Sequence, residues 1–127
     1  MTQGSCLCGG VAFTITGPLR PVVACHCTQC RKQSGHYGAF TACADADLHF
    51  TAQDTLAWYS ASASAKRGFC KTCGSLLFWK GDGRDYTSIA AGSLDGKTGL
   101  TLEGHIFCAD KGDYYEICDG TYQKQTW

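Results

Sequence analysis

The sequence has little of several features that would each point to a different class of protein. Among its 127 residues are two prolines and one methionine, and eleven basic residues balance eleven acidic ones, giving zero formal net charge. A chain without excess positive charge is not expected to bind nucleic acid through a strong overall field. No apolar run approaches the roughly 18 residues of a membrane-spanning helix. We therefore expect neither a nucleic-acid partner nor a membrane partner.

The first residues also lack the pattern of a secretory leader. They read Met-Thr-Gln-Gly-Ser-Cys, without a basic stretch followed by an apolar one. We expect a cytoplasmic protein in a reducing compartment, where clustered cysteines are more often metal ligands or redox groups than disulfides. The length suits one domain over residues 1–127, able to bury a core without disulfides.

Cysteine is what the sequence has in abundance. Seven of the ten cysteines form three groups: an N-terminal pair (Cys6 and Cys8), a middle cluster (Cys25, Cys27 and Cys30) and a knuckle pair (Cys70 and Cys73). A disulfide across such short spacings closes a strained ring, whereas two thiolates at these spacings can face one tetrahedral ion. Seven thiols divide into four, which close a structural zinc site, and three, which leave an open coordination position.

Spacing alone allows two divisions of these seven thiols. The knuckle pair, followed by Gly74, resembles a zinc knuckle that needs two further ligands, and the N-terminal pair is the natural source. The middle cluster would then bind a second ion. Alternatively, the knuckle pair shares an ion with two members of the middle cluster, and the N-terminal pair binds none. Thiolate ligands favour Zn²⁺, with an iron–sulfur cluster as the main competitor.

Glycine and short β-prone runs dominate the rest of the sequence and predict a mostly β fold. We expect an irregular, strongly bent antiparallel structure whose sheets are pinned by metal. Helical structure is expected only around Thr28–Ser34. The predicted strands are Val11–Thr16, Val22–Ala24, Gly38–Thr41, Leu48–Phe50, Thr55–Tyr59, Arg67–Phe69, Leu76–Trp79, Thr87–Ala90, His105–Phe107 and Tyr114–Ile117.

Several residues outside the metal motifs are weighed for roles at a site. His26, between two cysteines, is expected to turn away from the ion and to pack or hydrogen-bond nearby. His36 could reach the open position as a general base or a fourth ligand, whereas His49 and His105 lie in apolar strand patterns and are expected to be structural. Core packing is the expected role of the three remaining cysteines, Cys43, Cys108 and Cys118.

Charge balance adds one expectation. Seven thiolates against two divalent ions leave a formal charge of −3. Five cations flank the clusters in sequence and could offset this charge or attract an anionic ligand, or could be ordinary surface cations: Arg31, Lys32, Lys66, Arg67 and Lys71.

The ordered motifs resemble a known family. They read G-S-C-L-C-G-G-V-A-F, C-H-C-T-Q-C-R-K-Q-S-G, R-G-F-C-K-T-C-G-S-L-L-F, G-S-L-D and G-H-I-F-C-A-D-K. This combination resembles the glutathione-dependent formaldehyde-activating enzymes, a family that includes centromere protein V-like proteins, over about Gly4 to Asp119. The resemblance implies a β-tent fold with two zinc ions. It further implies a structural zinc on Cys6, Cys8, Cys70 and Cys73, and a catalytic zinc on Cys25, Cys27 and Cys30.

The same resemblance implies an activity. The founding reaction condenses formaldehyde with glutathione to S-(hydroxymethyl)glutathione and is classed as a carbon–sulfur lyase. We expect an open zinc position to bind a small-molecule thiol, lower its pKa and present a thiolate to an electrophilic carbon. One alternative is a non-catalytic zinc-stabilised interaction module in which a fourth ligand closes the second site. Another is a redox or metal-buffering protein that uses exposed thiols.

Overall fold

Eleven β-strands and one short helix make up the computed structural model, which describes residues 1–127. The strands are β1 Thr2–Ser5, β2 Val11–Ile15, β3 Val22–Cys25, β4 Gly38–Ala44, β5 Leu48–Gln53, β6 Leu56–Tyr59, β7 Ala65–Cys70, β8 Leu76–Gly81, β9 Tyr86–Ala90, β10 Leu102–Ile106 and β11 Tyr122–Gln123. Helix α1 spans Thr28–Ser34, and 3₁₀ turns occupy Asp45–Asp47, Ala91–Ser93 and Cys108–Asp110. The expected mostly β fold is confirmed. None of these helical segments has the length and apolar character needed to cross a membrane.

The strands form two open sheets. A three-stranded sheet has the order β1-β2-β5, and an eight-stranded sheet has the order β11-β10-β3-β4-β9-β8-β7-β6. Most neighbours are antiparallel, as expected from the sequence. At one end of the large sheet, however, β10 runs parallel to both β3 and β11, which was not anticipated. This arrangement places His105 of β10 beside Ala24 of β3, directly before the middle cluster.

The two sheets are held face to face by an aromatic core. Phe13 of β2 and Phe50 of β5 meet Phe78 of β8 in edge-to-face pairs, with ring centroids 5.3 and 5.6 Å apart. Phe13 and Phe78 are fully buried, each worth about 1.5–3 kcal/mol of hydrophobic stabilisation. Beyond this apolar contact, an isolated bridge between Gly4 and Leu94 ties the small sheet to the turn after β9.

Helix α1 has well-defined ends and matches the predicted range. The thiol sulfur of Cys27 caps its start by accepting a hydrogen bond from the backbone N–H of Cys30 at 3.4 Å. Gly35 ends it with a left-handed φ of 83°, and its N–H donates to the carbonyl of Arg31. A residue without Cβ adopts this angle at little cost, which is why glycine commonly ends helices.

The predicted strand at Tyr114–Ile117 is wrong. These residues lie in an irregular segment after β10, and no strand pairs with them. Two of their carbonyls accept hydrogen bonds from side chains instead, that of Tyr115 from the Lys111 ammonium and that of Ile117 from the Gln123 side-chain amide. Tyrosine and isoleucine give the segment the composition of a strand, but here the tyrosine rings pack against histidines.

Candidate metal centres

Four sulfurs meet where the two sheets join. The N-terminal pair lies in the turn between β1 and β2. In the knuckle pair, Cys70 is the last residue of β7 and Cys73 lies in the turn that leads to β8. Their four Sγ atoms all lie within 4.8 Å of one another. The knuckle pair therefore groups with the N-terminal pair and not with the middle cluster, as the first of the two divisions requires. A single ion bound here would link the small sheet to the large one.

N–H groups and a hydroxyl hydrogen-bond three of the four sulfurs in this cluster. The backbone N–H of Val11 donates to Cys6 Sγ at 3.3 Å, and that of Cys73 donates to Cys70 Sγ at 3.4 Å. The Ser75 hydroxyl, 3.2 Å from Cys73 Sγ, and the Ser75 backbone together lower the pKa of Cys73 to about 5. Since metal ligation requires thiolates, these donors favour the binding form of the site.

The middle cluster is built from one continuous segment. Cys25 ends β3, Cys27 caps α1 and Cys30 lies in the first turn of α1, and their Sγ atoms all lie within 4.8 Å of one another. Cys30 is buried, whereas Cys25 and Cys27 are half-buried. Hydrogen bonds from the thiols of Cys25 and Cys30 hold the pKa of Cys27 far below its usual range, at about 2. No histidine or carboxylate completes this group to four ligands.

Arg67 on β7 is the charged partner of the middle cluster. Its guanidinium lies 3.4 and 3.5 Å from Cys30 Sγ through its two terminal nitrogens, and it is 5% exposed. The same group donates to the side-chain oxygens of Gln29 at 3.2 Å and Gln33 at 3.0 Å on α1. Of the five flanking cations, Arg67 is the one that hydrogen-bonds a cluster sulfur. Lys66, in contrast, lies 4.5 Å from the ring centroid of Trp58.

His26, between Cys25 and Cys27, is held through both ring nitrogens. Its Nε2 lies 2.8 Å from His105 Nδ1, and its Nδ1 lies 2.9 Å from the hydroxyl of Tyr115. His105 Nε2 in turn lies 2.7 Å from Asp119 Oδ2. Burial lowers the pKa of His26 to about 4. His26 therefore hydrogen-bonds other side chains and is not among the grouped metal ligands.

The other two histidines lie apart from the thiols. The structure does not group His36 with the middle cluster, and its Nδ1 lies 2.6 Å from the Tyr114 hydroxyl instead. His49 is exposed on β5 and lies 3.3 Å from Thr16 Oγ1, so its side chain is not part of the core. The remaining cysteines divide by position, since Cys43 is buried, Cys108 is half-buried and Cys118 is exposed.

Sequence reasoning missed four residues around the middle cluster. Gln29 and Gln33 carried no recognisable pattern, although both lie beside the cluster in sequence. Tyr115 and Asp119 lie some ninety residues from His26, and no spacing rule joins them. Tyr115 and Asp119 reach their histidine partners because the parallel pairing of β10 with β3 brings the C-terminal segment beside the middle cluster.

The donor sets fit soft or borderline divalent ions. Seven thiolates in a group of four and a group of three could hold two metal ions, and the four-thiol group would be coordinatively closed. The three-thiol group would leave one position for an exogenous ligand. Such an arrangement can support both a structural role and Lewis-acid chemistry.

Comparisons with known proteins agree with these features. A family model described as glutathione-dependent formaldehyde-activating enzyme matches residues 1–110. A Schizosaccharomyces pombe protein named as an uncharacterized lyase is 26% identical over 121 residues, which cover 94% of this chain and 87% of that protein. A crystal structure of a Rhodobacter sphaeroides protein superposes with a TM-score of 0.64 at 23% identity, covering 81% of this chain and 98% of the other, and shows the same fold. The family match spans most of the sequence and includes both thiol groups, so this chain belongs to the glutathione-dependent formaldehyde-activating enzyme family.

Proposed function

We propose that this chain is a zinc-dependent carbon–sulfur lyase that joins a small-molecule thiol, such as glutathione, to a small aldehyde or releases it. The observation that carries the proposal is the division of seven thiols into a group of four and a group of three. We assign Cys6, Cys8, Cys70 and Cys73 to a structural zinc. Cys25, Cys27 and Cys30 are assigned to a catalytic zinc, and the reaction is placed in the cytoplasm.

The proposed reaction is a balanced addition. The thiol sulfur forms a bond to the carbonyl carbon, the π pair of the C=O bond moves to oxygen, and the thiol proton ends on that oxygen. With formaldehyde and glutathione the product is S-(hydroxymethyl)glutathione. When bound by three thiolates, zinc would supply a Lewis acid with a free position that lowers the pKa of an incoming thiol.

The chain's own residues contribute access and charge balance. Cys27 is half-buried, so a small molecule can approach the cluster on its side, whereas Cys30 is buried. The guanidinium of Arg67 lies against Cys30 and compensates part of the negative charge that three thiolates accumulate. Its contacts to Gln29 and Gln33 fix α1, and with it Cys27 and Cys30, against β7.

Two findings from related proteins support this assignment. The family description names both glutathione and formaldehyde activation, and the yeast relative is named as a lyase. At 26% identity the relative supports a reaction class more strongly than a particular substrate.

Native mass spectrometry of the purified protein tests the proposal. Glutathione and S-methylglutathione, which has no free thiol, are titrated in parallel. We expect two zinc ions per chain and a saturable adduct with glutathione only, followed by formaldehyde condensation in a coupled assay. Two zinc ions without a thiol adduct would contradict the lyase assignment and favour the interaction module. One zinc ion after metal reconstitution would remove the basis for a catalytic second site.

A further inference from the structure

A chain of four hydrogen-bonded side chains connects the middle cluster to the C-terminal part of the molecule. The Tyr115 hydroxyl contacts His26 Nδ1 at 2.9 Å, His26 Nε2 contacts His105 Nδ1 at 2.8 Å, and His105 Nε2 contacts Asp119 Oδ2 at 2.7 Å. Both histidines are buried, at 1% and 3% exposure. No buried side-chain nitrogen or oxygen in the structure lacks a partner.

The Asp119 carboxylate, the last group in this hydrogen-bonded series, determines the direction in which the hydrogen bonds are donated. An ionised carboxylate only accepts hydrogen bonds, so His105 Nε2 carries the proton that it shares with Asp119. A ring with one proton then presents a bare Nδ1, which accepts from the Nε2–H of His26. The bare Nδ1 of His26 accepts from the Tyr115 hydroxyl. Donation therefore runs from Tyr115 to Asp119, and each ring uses both of its nitrogens.

This chain determines how the residue between two cluster thiols is held. His26 separates Cys25 from Cys27, and its backbone N–H donates to the carbonyl of Ile106 on β10 at 3.0 Å. The backbone hydrogen bond of His26 and the two hydrogen bonds of its ring together hold the main chain between Cys25 and Cys27 in place. A buried ring with no free nitrogen cannot turn without breaking a hydrogen bond, so the directions of the two flanking thiols are constrained as well.

The first and last side chains of this hydrogen-bonded series, Tyr115 and Asp119, lie beyond the region that matches the family. The match covers residues 1–110, whereas Tyr115 and Asp119 follow it. The segment after β10 turns back through Phe107, which has a left-handed φ of 55°. Such an angle is unfavourable for a residue with a Cβ and persists where surrounding contacts hold it. Here the N–H groups of Phe107 and Cys108 donate to the carbonyls of Thr126 and Lys124.

We propose that Tyr115 and Asp119 are positioning residues for the middle cluster: Tyr115 acts on Cys25 and Cys27 through His26, and Asp119 acts on them through His105 and then His26. The inference rests on the proposed function, since it concerns the ion assigned to that cluster. Without these hydrogen bonds the three thiols would be held less firmly in a common orientation. The ion of the middle cluster would then bind more weakly, and the ion of the four-thiol cluster would be unaffected.

The test measures the affinities of both metal ions separately. Tyr115→Phe keeps the ring and removes the hydroxyl, and Asp119→Ala removes the carboxylate. Asp119→Asn is the partial rescue variant: its amide oxygen can still accept from His105 Nε2–H, but its amide nitrogen cannot accept the Thr121 N–H and hydroxyl that now donate to Asp119 Oδ1. Matched controls are Tyr122→Phe, whose hydroxyl makes one contact at 3.5 Å to Glu103, and Asp113→Asn at an exposed position.

Zinc affinity is measured by competition with a chromophoric chelator, and the Co²⁺-substituted protein gives a spectrum of each site. We expect Tyr115→Phe and Asp119→Ala to weaken the middle-cluster ion by about 10-fold, the lower end of the range for groups that hydrogen-bond a metal ligand directly, because these side chains act through His26. The affinity of the four-thiol cluster should be unchanged in every variant, and both control variants should bind the two ions like the wild type. Asp119→Asn should weaken the middle-cluster ion less than Asp119→Ala does. Histidine ¹⁵N shifts should show the proton of both rings on Nε2.

The outcomes separate this inference from the proposed function. Equal loss of both ions, or unchanged affinity in Tyr115→Phe and Asp119→Ala, would overturn the positioning role alone. A proton on Nδ1 of His26 would overturn the direction of donation. Two ions with the expected affinity changes but no thiol adduct would leave the inference standing and remove the lyase assignment. A wild-type chain that binds one ion would overturn both.

Discussion

The individual sulfurs of the two thiol groups differ in what surrounds them. In the four-thiol cluster the donors are backbone N–H groups and hydroxyls, for example those of Thr55 and Ser75. In the middle cluster a guanidinium supplies two donors to Cys30. Neutral donors stabilise thiolates without adding charge, whereas a cation also offsets their charge. This difference fits the proposed roles, in which the four-thiol cluster is a closed structural site and the middle cluster is open to a substrate.

Replacing one thiol in each group distinguishes their roles. We expect Cys6→Ser to lower the free energy of unfolding by more than about 4 kcal/mol, because a structural metal contributes directly to folding. The free energy of unfolding of Cys27→Ser should lie within about 1 kcal/mol of the wild-type value, since the middle cluster holds together only one local segment. Its activity should nevertheless fall by about 100-fold or more, as expected for a lost metal ligand.

Thermal unfolding and a formaldehyde-condensation assay provide these two measurements. Cys118→Ser is the matched control, because this thiol is exposed and lies outside both groups. Full activity in the Cys27→Ser protein would contradict the catalytic assignment of the middle cluster. A Cys6→Ser protein as stable as the wild type would contradict the structural one.

At the level of elements, helix α1 is the part of the fold on which the middle cluster depends most. Its last turn requires the left-handed angle of Gly35, where no atom lies within 4 Å of the position a Cβ would take. Gly35→Ala should therefore cost about 1 kcal/mol through backbone strain alone. Gly92→Ala is the control, with equal free space but without a left-handed φ, and should be nearly neutral. Urea unfolding of both variants measures the difference.

Arg67 fastens α1 to strand β7. Arg67→Met keeps most of the side-chain volume but leaves Gln29, Gln33 and the Cys30 sulfur without their donor. We expect a loss of about 3 kcal/mol in unfolding free energy and a weaker metal at the middle cluster, because a buried partner of a charged group is removed. Arg67→Lys should restore only part of both, since an ammonium cannot bridge three acceptors in the same fork. Wild-type stability in Arg67→Met would disprove this fastening role.

The elements that were predictable from the sequence are those with a local signal. Cys27, Gly35 and the residues between them define α1, and alternating apolar residues define β2. Strand β1 was missed because its Thr-Gln-Gly-Ser has no such pattern; it forms by pairing with β2, where Gly4 is placed opposite Phe13. Motif spacing predicted the three cysteine groups but left two divisions among them open, and the resemblance to the family implied the one that the structure has. The chain through Tyr115 and Asp119 was not, because it depends on a parallel pairing between distant strands.

On the scale of the whole molecule, an ion bound by the four-thiol cluster would link two sheets that also meet through the aromatic core and an isolated bridge. Metal removal should therefore loosen the entire structure. With excess high-affinity chelator we expect the Tm to fall by more than about 10 °C, as a structural zinc contributes several kcal/mol or more. Differential scanning calorimetry of the metal-bound and stripped protein measures the shift, and restoring zinc should reverse it. An unchanged Tm after complete zinc removal would show that the core alone holds the sheets together.

The spacing of the ligands has a consequence for the order of events during translation. The three thiols of the middle cluster lie within six consecutive residues and are all available once Cys30 has been made. Cys8 must wait for Cys70, 62 residues further along the chain. At about 5–20 residues per second this delay lasts roughly 3 to 12 seconds. If both groups bind metal as proposed, the nascent chain can therefore acquire the ion of the middle cluster first and that of the four-thiol cluster last, and two thiols near the N-terminus stay unligated while the sheets are still being synthesised.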